Sequence, residues 1–250
     1  MIGINGSAFF KKSQTAVFTI AAVMISLGQW ADTKEILISA YESFVTHFTD
    51  KVELQKLSEV KVGANLTYLE TIFGDAKLIK VKQQNTGLQY RYYHEPKFLL
   101  TLAVVQQRIV GYQIISLQEH FTPHIAFSDQ HLGVQPISAH QSFHGSFNTD
   151  TSNLRYYLES LTLGREGLFL ERQLGFVEYG AATEQYQTEL QQLNDLLLQD
   201  YDDEKMIQIS SAVRSKLVPN VYSVGEITLE QSADMLLTRY EYKAYFHQGE

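Results

Sequence analysis

Histidine clustering is the sharpest chemical feature of the sequence. Five of the eight histidines fall between His120 and His144, in two pairs with three residues between the members: His120/His124 and His140/His144. On a helix that spacing sets both imidazoles on one face, an arrangement suited to a divalent metal. Asp129 and His131 offer further ligands. Pro123 lies inside the first pair and opposes a regular helix there. The second pair sits in a Gly/Ser-rich stretch with little helical period. The region therefore reads first as a polar surface loop. A metal-binding enzyme or sensor using His120–His144 is the alternative, and a pH-responsive loop is its variant, since histidine titrates near its usual value of about 6.5.

Other chemistries leave fainter marks. No Gly-x-Ser-x-Gly elbow is present, and Gly145-Ser146 beside His144 is a two-residue coincidence. Gly164-Arg165-Glu166-Gly167 reads as a hairpin turn rather than a phosphate loop. The acid run Asp200–Glu204 reads as the charged start of a helix rather than paired carboxylates. Without cysteine there are no disulfides, thiolate metal sites or Cys nucleophiles. The sequence thus assigns no catalytic, cofactor-binding or metal-ligating set, and the chain reads as a non-enzyme.

These residues need a scaffold, and composition bounds it. The chain is 44% hydrophobic and 19% charged, an ordinary globular balance over 250 residues. A net charge of -8 opposes binding to phosphate backbones, so nucleic acid is not an expected partner. Fifteen tyrosines are many. Tyr90, Tyr92 and Tyr93 share one strand, with Tyr90 and Tyr92 on one side and Tyr93 on the other. Tyr156/Tyr157 and Tyr240/Tyr242 repeat that two-sided placement. Tyrosine serves both as half-buried core and as interface anchor.

The run Ser13–Ala31 carries no charge. As a helix it is about 28 Å long at ~1.5 Å per residue, close to a hydrocarbon core of about 30 Å. Trp30 stands where an interfacial anchor would. Three readings fit: a membrane anchor, which leads, a signal peptide cleaved after Ser26-Leu27-Gly28, and a buried helix. Lys11 and Lys12 before the run place the N-terminus in the cytoplasm and the main domain outside. The expected setting is a bacterial inner membrane with a periplasmic domain, contacting another envelope protein.

Beyond the anchor, Leu37, Ala40, Tyr41, Phe44 and Phe48 give residues 33–49 an amphipathic helical stripe. Asn65 is a helix N-cap, Leu66, Leu69, Ile72 and Phe73 its inner face, and Gly74 its stop. Strands follow at Lys77–Lys82, Leu88–His94, Phe98–Val105 and Ile109–Leu117, with a turn at Asn85-Thr86-Gly87. A second meander is expected from Leu154–Thr162, Gly167–Arg172 and Gly175–Tyr179, with turns at Gly164 and Gln173–Gly175. Helices follow at Thr183–Tyr201 and Asp202–Leu217. A helical turn at Leu229–Met235 precedes a Tyr-rich strand, Thr238–Phe246. The two meanders suggest an internal duplication, although no residue-by-residue self-similarity accompanies them.

The fold class is α+β, an N-terminal transmembrane helix followed by antiparallel sheet packed with helices. The expected layout is a cytoplasmic tail over 1–12, the transmembrane helix over 13–31 and a juxtamembrane helix over 32–51. A helix plus four-stranded antiparallel meander occupies 52–118, and a second α+β part packed on it occupies 119–250.

Two resemblances rest on named residues. The pattern Val60-Lys61-Val62-Gly63, an Asn65-capped helix, Ile72-Phe73-Gly74-Asp75 and then a strand resembles the repeat of beta-lactamase-inhibitor-protein-like and outer-membrane assembly lipoprotein modules. That resemblance implies helices on a small antiparallel sheet and action by protein contact. The N-terminal span, Ile72-Phe73-Gly74, the Gly175–Gly180 stretch and Pro219-Asn220-Val221-Tyr222 are together similar to an uncharacterised bacterial family with an N-terminal anchor, first named from an enterotoxigenic E. coli locus. That likeness implies architecture and no activity.

Overall fold

The computed structural model describes residues 18–19, 50–82, 87–143, 146–182, 185–197 and 203–246. Residues 1–53 and 54–250 are two compact units. Of the first, only Phe18–Thr19 and residues 50–53 are described, so the expected tail, the apolar span 13–31 and the helix at 33–49 lie essentially outside the described residues. Among those described, no helix is long and apolar enough to cross a membrane.

The chain forms α1 (Lys51–Ser58), α2 (Leu66–Phe73), β1 (Leu78–Val81), β2 (Gln89–His94), β3 (Phe98–Val105), β4 (Arg108–Ser116), α3 (Ile137–His140), β5 (Phe147–Asp150), β6 (Tyr156–Thr162) and β7 (Glu171–Val177). There follow α4 (Gln187–Leu197), α5 (Asp203–Lys216), β8 (Val221–Gly225), α6 (Leu229–Asp234) and α7 (Arg239–Phe246). The strands make one antiparallel sheet in the order β1-β2-β3-β4-β8-β7-β6-β5. Each half thus contributes four strands in chain order, and the halves join at the antiparallel pair β4·β8. Residues 52–118 and 119–250 are therefore halves of a single sheet. The Gln113↔Ser223 pair lies at the middle of that seam, and Tyr112 and Tyr222 take matching places beside it.

Local sequence explains most elements. The Asn65 side chain accepts from Thr67 N at 2.8 Å and caps α2, which ends at Gly74 with φ 73°. Gln106 and Gln107 both take positive φ, as a two-residue hairpin turn between β3 and β4 requires. The inner strands are buried almost throughout because both faces are covered.

On one face Tyr93, Leu100, Leu102, Tyr112, Ile114, Leu174, Tyr222 and Val224 meet Leu57, Leu66 and Leu69 from the entry helices. Farther along that face Tyr157 and Phe176 meet Leu190 and Leu193 of α4 and Val213 of α5. The opposite face carries Tyr90, Tyr92, Leu99, Ile115, Leu158 and Val221 under Leu229, Met235 and Tyr242 from α6 and α7. Tyr90 and Tyr92 thus oppose Tyr93, as alternation requires.

A polar row, buried except at half-buried Ser160, crosses this second face: Tyr92, Thr101, Gln113, Ser223, Gln173 and Ser160 are successive cross-strand neighbours. It fixes α6. Gln113 Nε2 donates to the Ser232 carbonyl at 3.0 Å, Gln173 Nε2 donates to the Ile227 carbonyl at 3.2 Å, and the Ser223 and Ser232 hydroxyls share a hydrogen bond.

Three expectations are corrected. Thr238–Phe246 is a helix, not a strand. Thr238 Oγ1 accepts from Glu241 N and the Glu241 carboxylate accepts from Thr238 N, a capping box that outweighs the alternating tyrosines. Tyr242 and Phe246, four apart, then share a face, with Tyr242 stacked on Tyr179 and Phe246 on His94. Second, Gln173–Gly175 is no turn; β7 runs unbroken through it. A Cβ on Gly175 would strike the Tyr157 carbonyl, so this glycine permits close strand approach. Third, Gly167–Arg172 and Gly175–Tyr179 are not two strands but contribute to one, β7, and Val221–Gly225, after Pro219-Asn220, adds a central strand that no expectation covered.

Candidate functional site

The seam between the halves is also the floor of the site. The Tyr112 and Tyr222 rings meet edge to face with centroids 6.1 Å apart. Burial pushes the Tyr112 phenol up to about 12, with its hydrogen bond to Tyr222 pulling the other way. Burial holds Tyr222 well above the ordinary tyrosine range, reinforced by Tyr112. Both phenols are therefore neutral at physiological pH and form an apolar floor with fixed polar tips.

One wall is the segment from Leu54 to Val62, including Leu57 and Val60. It is tied to the sheet where Gly63 N donates to the Ile109 carbonyl at 2.7 Å, Ile109 N to the Ala64 carbonyl at 3.0 Å and Leu66 N to the Gln107 carbonyl at 2.8 Å. The other wall is the 123–131 loop with Leu168 and Leu170. Leu132 N donates to the Pro123 carbonyl and Ile125 N to the Gln130 carbonyl, which narrows that loop into a hairpin-like finger. Arg172 Nη1 donates to the Phe127 carbonyl at 3.3 Å and holds its tip. The walls enclose a solvent-open groove of about 800 Å³, within the usual range for ligand sites, roughly 300–1,000 Å³.

The rim residues Phe127 and Leu168, with Phe169 beside them in the chain, carry the least expected feature. Leu168 is 71% exposed, Phe169 70% and Phe127 49%. All three take left-handed backbone, with φ of 58°, 57° and 56°. Such conformations cost a bulky residue about 1–2 kcal/mol. Gly167 N and Phe169 N donate to the Gly164 carbonyl and Leu168 N donates to the Arg165 carbonyl, so the tip is built rather than loose. Large apolar side chains are thus held in water on strained backbone.

Charge around the groove is sparse. Arg108 Nη1 and Nη2 grip Glu226 Oε2 and Oε1 at 3.0 and 2.5 Å, joining the start of β4 to the residue after β8. That hydrogen bonding holds the Glu226 carboxyl below its ordinary range. Lys61 is exposed and has no carboxylate partner among the described residues.

The structure regroups the histidines. His124 faces His131 across the 123–132 finger, with ring centroids 5.3 Å apart and planes near perpendicular; both line the groove. His120 and His124 share no helix, since Pro123 interrupts the segment and residues 117–136 form none. His140 ends the one-turn α3 and bonds the Gln135 carbonyl at 3.0 Å; burial lowers its proton affinity, with that carbonyl pulling the other way. His144 and Gly145 lie outside the described residues, as do Asp200–Asp202. Asp129 and His131 complete no metal set. Among the described residues, no group of three or more His, Asp or Glu side chains could hold a metal ion.

Sequence reasoning missed the groove. Its one advance signal is Leu168-Phe169 just after the Gly164–Gly167 turn, where two large apolar residues occupy a hairpin tip. Comparison with known proteins returns nothing: no protein-family model, no curated protein and no solved structure matches the chain.

Proposed function

We propose that this chain is a non-enzymatic interaction protein whose α+β domain docks an apolar segment of another protein in the β4·β8 groove. The observation that carries this reading is the pair Phe127 and Leu168, exposed and left-handed at the mouth of an apolar trough, with exposed Phe169 next in the chain. Rigid aromatic and aliphatic anchors around a preformed pocket are what binding hot spots are made of, and preorganisation lowers the entropic cost of association. The uncharged run Ser13–Ala31, preceded by Lys11 and Lys12, supports a single-pass anchor in a bacterial inner membrane with this domain on the periplasmic side.

Site-specific photocrosslinking in intact cells tests the reading. A photoreactive phenylalanine analogue at position 168 is expected to trap one discrete protein partner, whereas the same group at exposed Tyr240, on α7, traps none. Equal labelling from both positions, or none from 168, would refute the groove as a docking site.

A further inference from the structure

The groove's charges narrow what it holds. Five lining side chains other than the tyrosines carry an acidic or basic group: Lys61, Arg108, His124, His131 and Glu226. The only carboxylate among them is committed to Arg108 by two hydrogen bonds. What remains to face an occupant is the Lys61 ammonium and the imidazoles of His124 and His131. These groups supply N–H donors, and among the described lining residues no carboxylate is left over to receive a cationic ligand. The chain as a whole carries a net charge of -8, so a groove with this balance stands against the molecule's own field.

We infer that the occupant is an amphipathic segment of a partner protein, with bulky apolar side chains and at least one Asp or Glu. This rests on the interaction reading above. The apolar side chains lie on Tyr112, Tyr222, Leu57 and Leu170, and the carboxylate meets Lys61 and the His124/His131 pair. A protein fits better than a lipid because the rim extends contact past the trough. Leu168 and Phe169 are about 70% exposed, so they offer apolar surface to a partner broader than a single acyl chain. Charge complementarity of this kind sets specificity and association rate more than raw affinity.

The test pans a random displayed peptide library of about 12 residues on the full-length chain in non-ionic detergent. Counter-selection uses the double variant Leu168→Gly/Phe169→Gly, in which glycine accepts the left-handed backbone and removes both anchors. Enriched peptides are expected to pair large apolar residues with Asp or Glu. Their affinity should fall about tenfold on Lys61→Glu and weaken between about 50 and 500 mM salt. Enrichment of neutral or basic peptides, or affinity indifferent to Lys61→Glu and salt, overturns the acidic occupant and leaves the groove reading standing. No enrichment over the double variant overturns both. Binding of phosphatidylcholine or phosphatidylglycerol vesicles that the double variant loses, without peptide enrichment, assigns the groove to lipid and likewise overturns the inference.

Discussion

Arg214 Nε of α5 donates to Glu159 Oε1 of β6 at 2.6 Å, with both side chains almost wholly buried. The same carboxylate oxygen accepts from the Tyr157 hydroxyl at 2.5 Å, and Oε2 accepts from Gln141 Nε2 at 3.3 Å. Arg214 Nη2 also donates to the Gln141 carbonyl at 2.5 Å, and the guanidinium lies over the Phe143 ring. This network fastens the helical layer to the second half of the sheet. Removing one partner leaves a buried charge uncompensated, so Arg214→Met should cost about 3–5 kcal/mol. The double variant Arg214→Met/Glu159→Leu should recover a large share, because apolar replacement of both ions removes the desolvation penalty. Urea unfolding of both variants measures it. Equal stability of single and double variants would argue against a coupled pair.

The seam has no room for side chains at its open end. Gly111 and Gly225 oppose each other across β4·β8. A Cβ on Gly225 would fall on the Gly111 Cα and the Val110 carbonyl, and one on Gly111 would lie 2.8 Å from Ile227 Cγ2. Gly225→Ala must therefore spread the strands, at about 1–3 kcal/mol. It should also loosen the groove floor, lowering partner affinity alongside the thermal midpoint. The exposed Gly164, whose Cβ would meet nothing within 4 Å, supplies the control.

Alkaline pH should unfold the domain. Burial raises Tyr112, Tyr156 and Tyr242 to about 12, and Tyr179 and Tyr222 well above the ordinary value. Between the unfolded pKa near 10 and the folded values, the unfolded state binds fewer protons, so stability falls as pH rises. The stabilisation is fully present below about pH 10 and is lost above it. Ultraviolet titration should show tyrosinate absorbance lagging a free-tyrosine curve and then jumping with loss of near-ultraviolet dichroism. Smooth titration near 10 would contradict the burial assignments.

Rim variants separate binding from folding. Leu168→Gly and Phe169→Gly relieve left-handed strain while removing little buried surface, so each should leave stability within about 0.5 kcal/mol. Both should weaken the partner severalfold. Loss of stability instead would make the tip a folding element.

Much of the first half was legible because its signals are local. Asn65 and Gly74 bracket α2 by capping chemistry, and β3 ends where the apolar run Phe98–Val105 ends. The second half depends on longer range. β8 is only five residues long, and its place between β4 and β7 comes from pairing partners more than one hundred residues and about fifty residues away. Gly175 looks like a turn until Tyr157 is placed above it. The same holds for the site. The histidine spacing suggested helical pairs, yet the contact that formed is His124 with His131, set by strand-like pairing across the finger. The groove itself could not be read from spacing, because Leu57, Tyr112, Leu170 and Tyr222 converge only through the sheet order.

Hydrogen–deuterium exchange of the full-length chain with and without an enriched acidic peptide tests the central claim most directly. Binding should protect amides at 57–62, 108–112, 123–131 and 168–170, with α6 and α7 on the opposite face unchanged. Protection confined to the α6/α7 face or to the β1 edge, with the groove unaffected, would contradict the account.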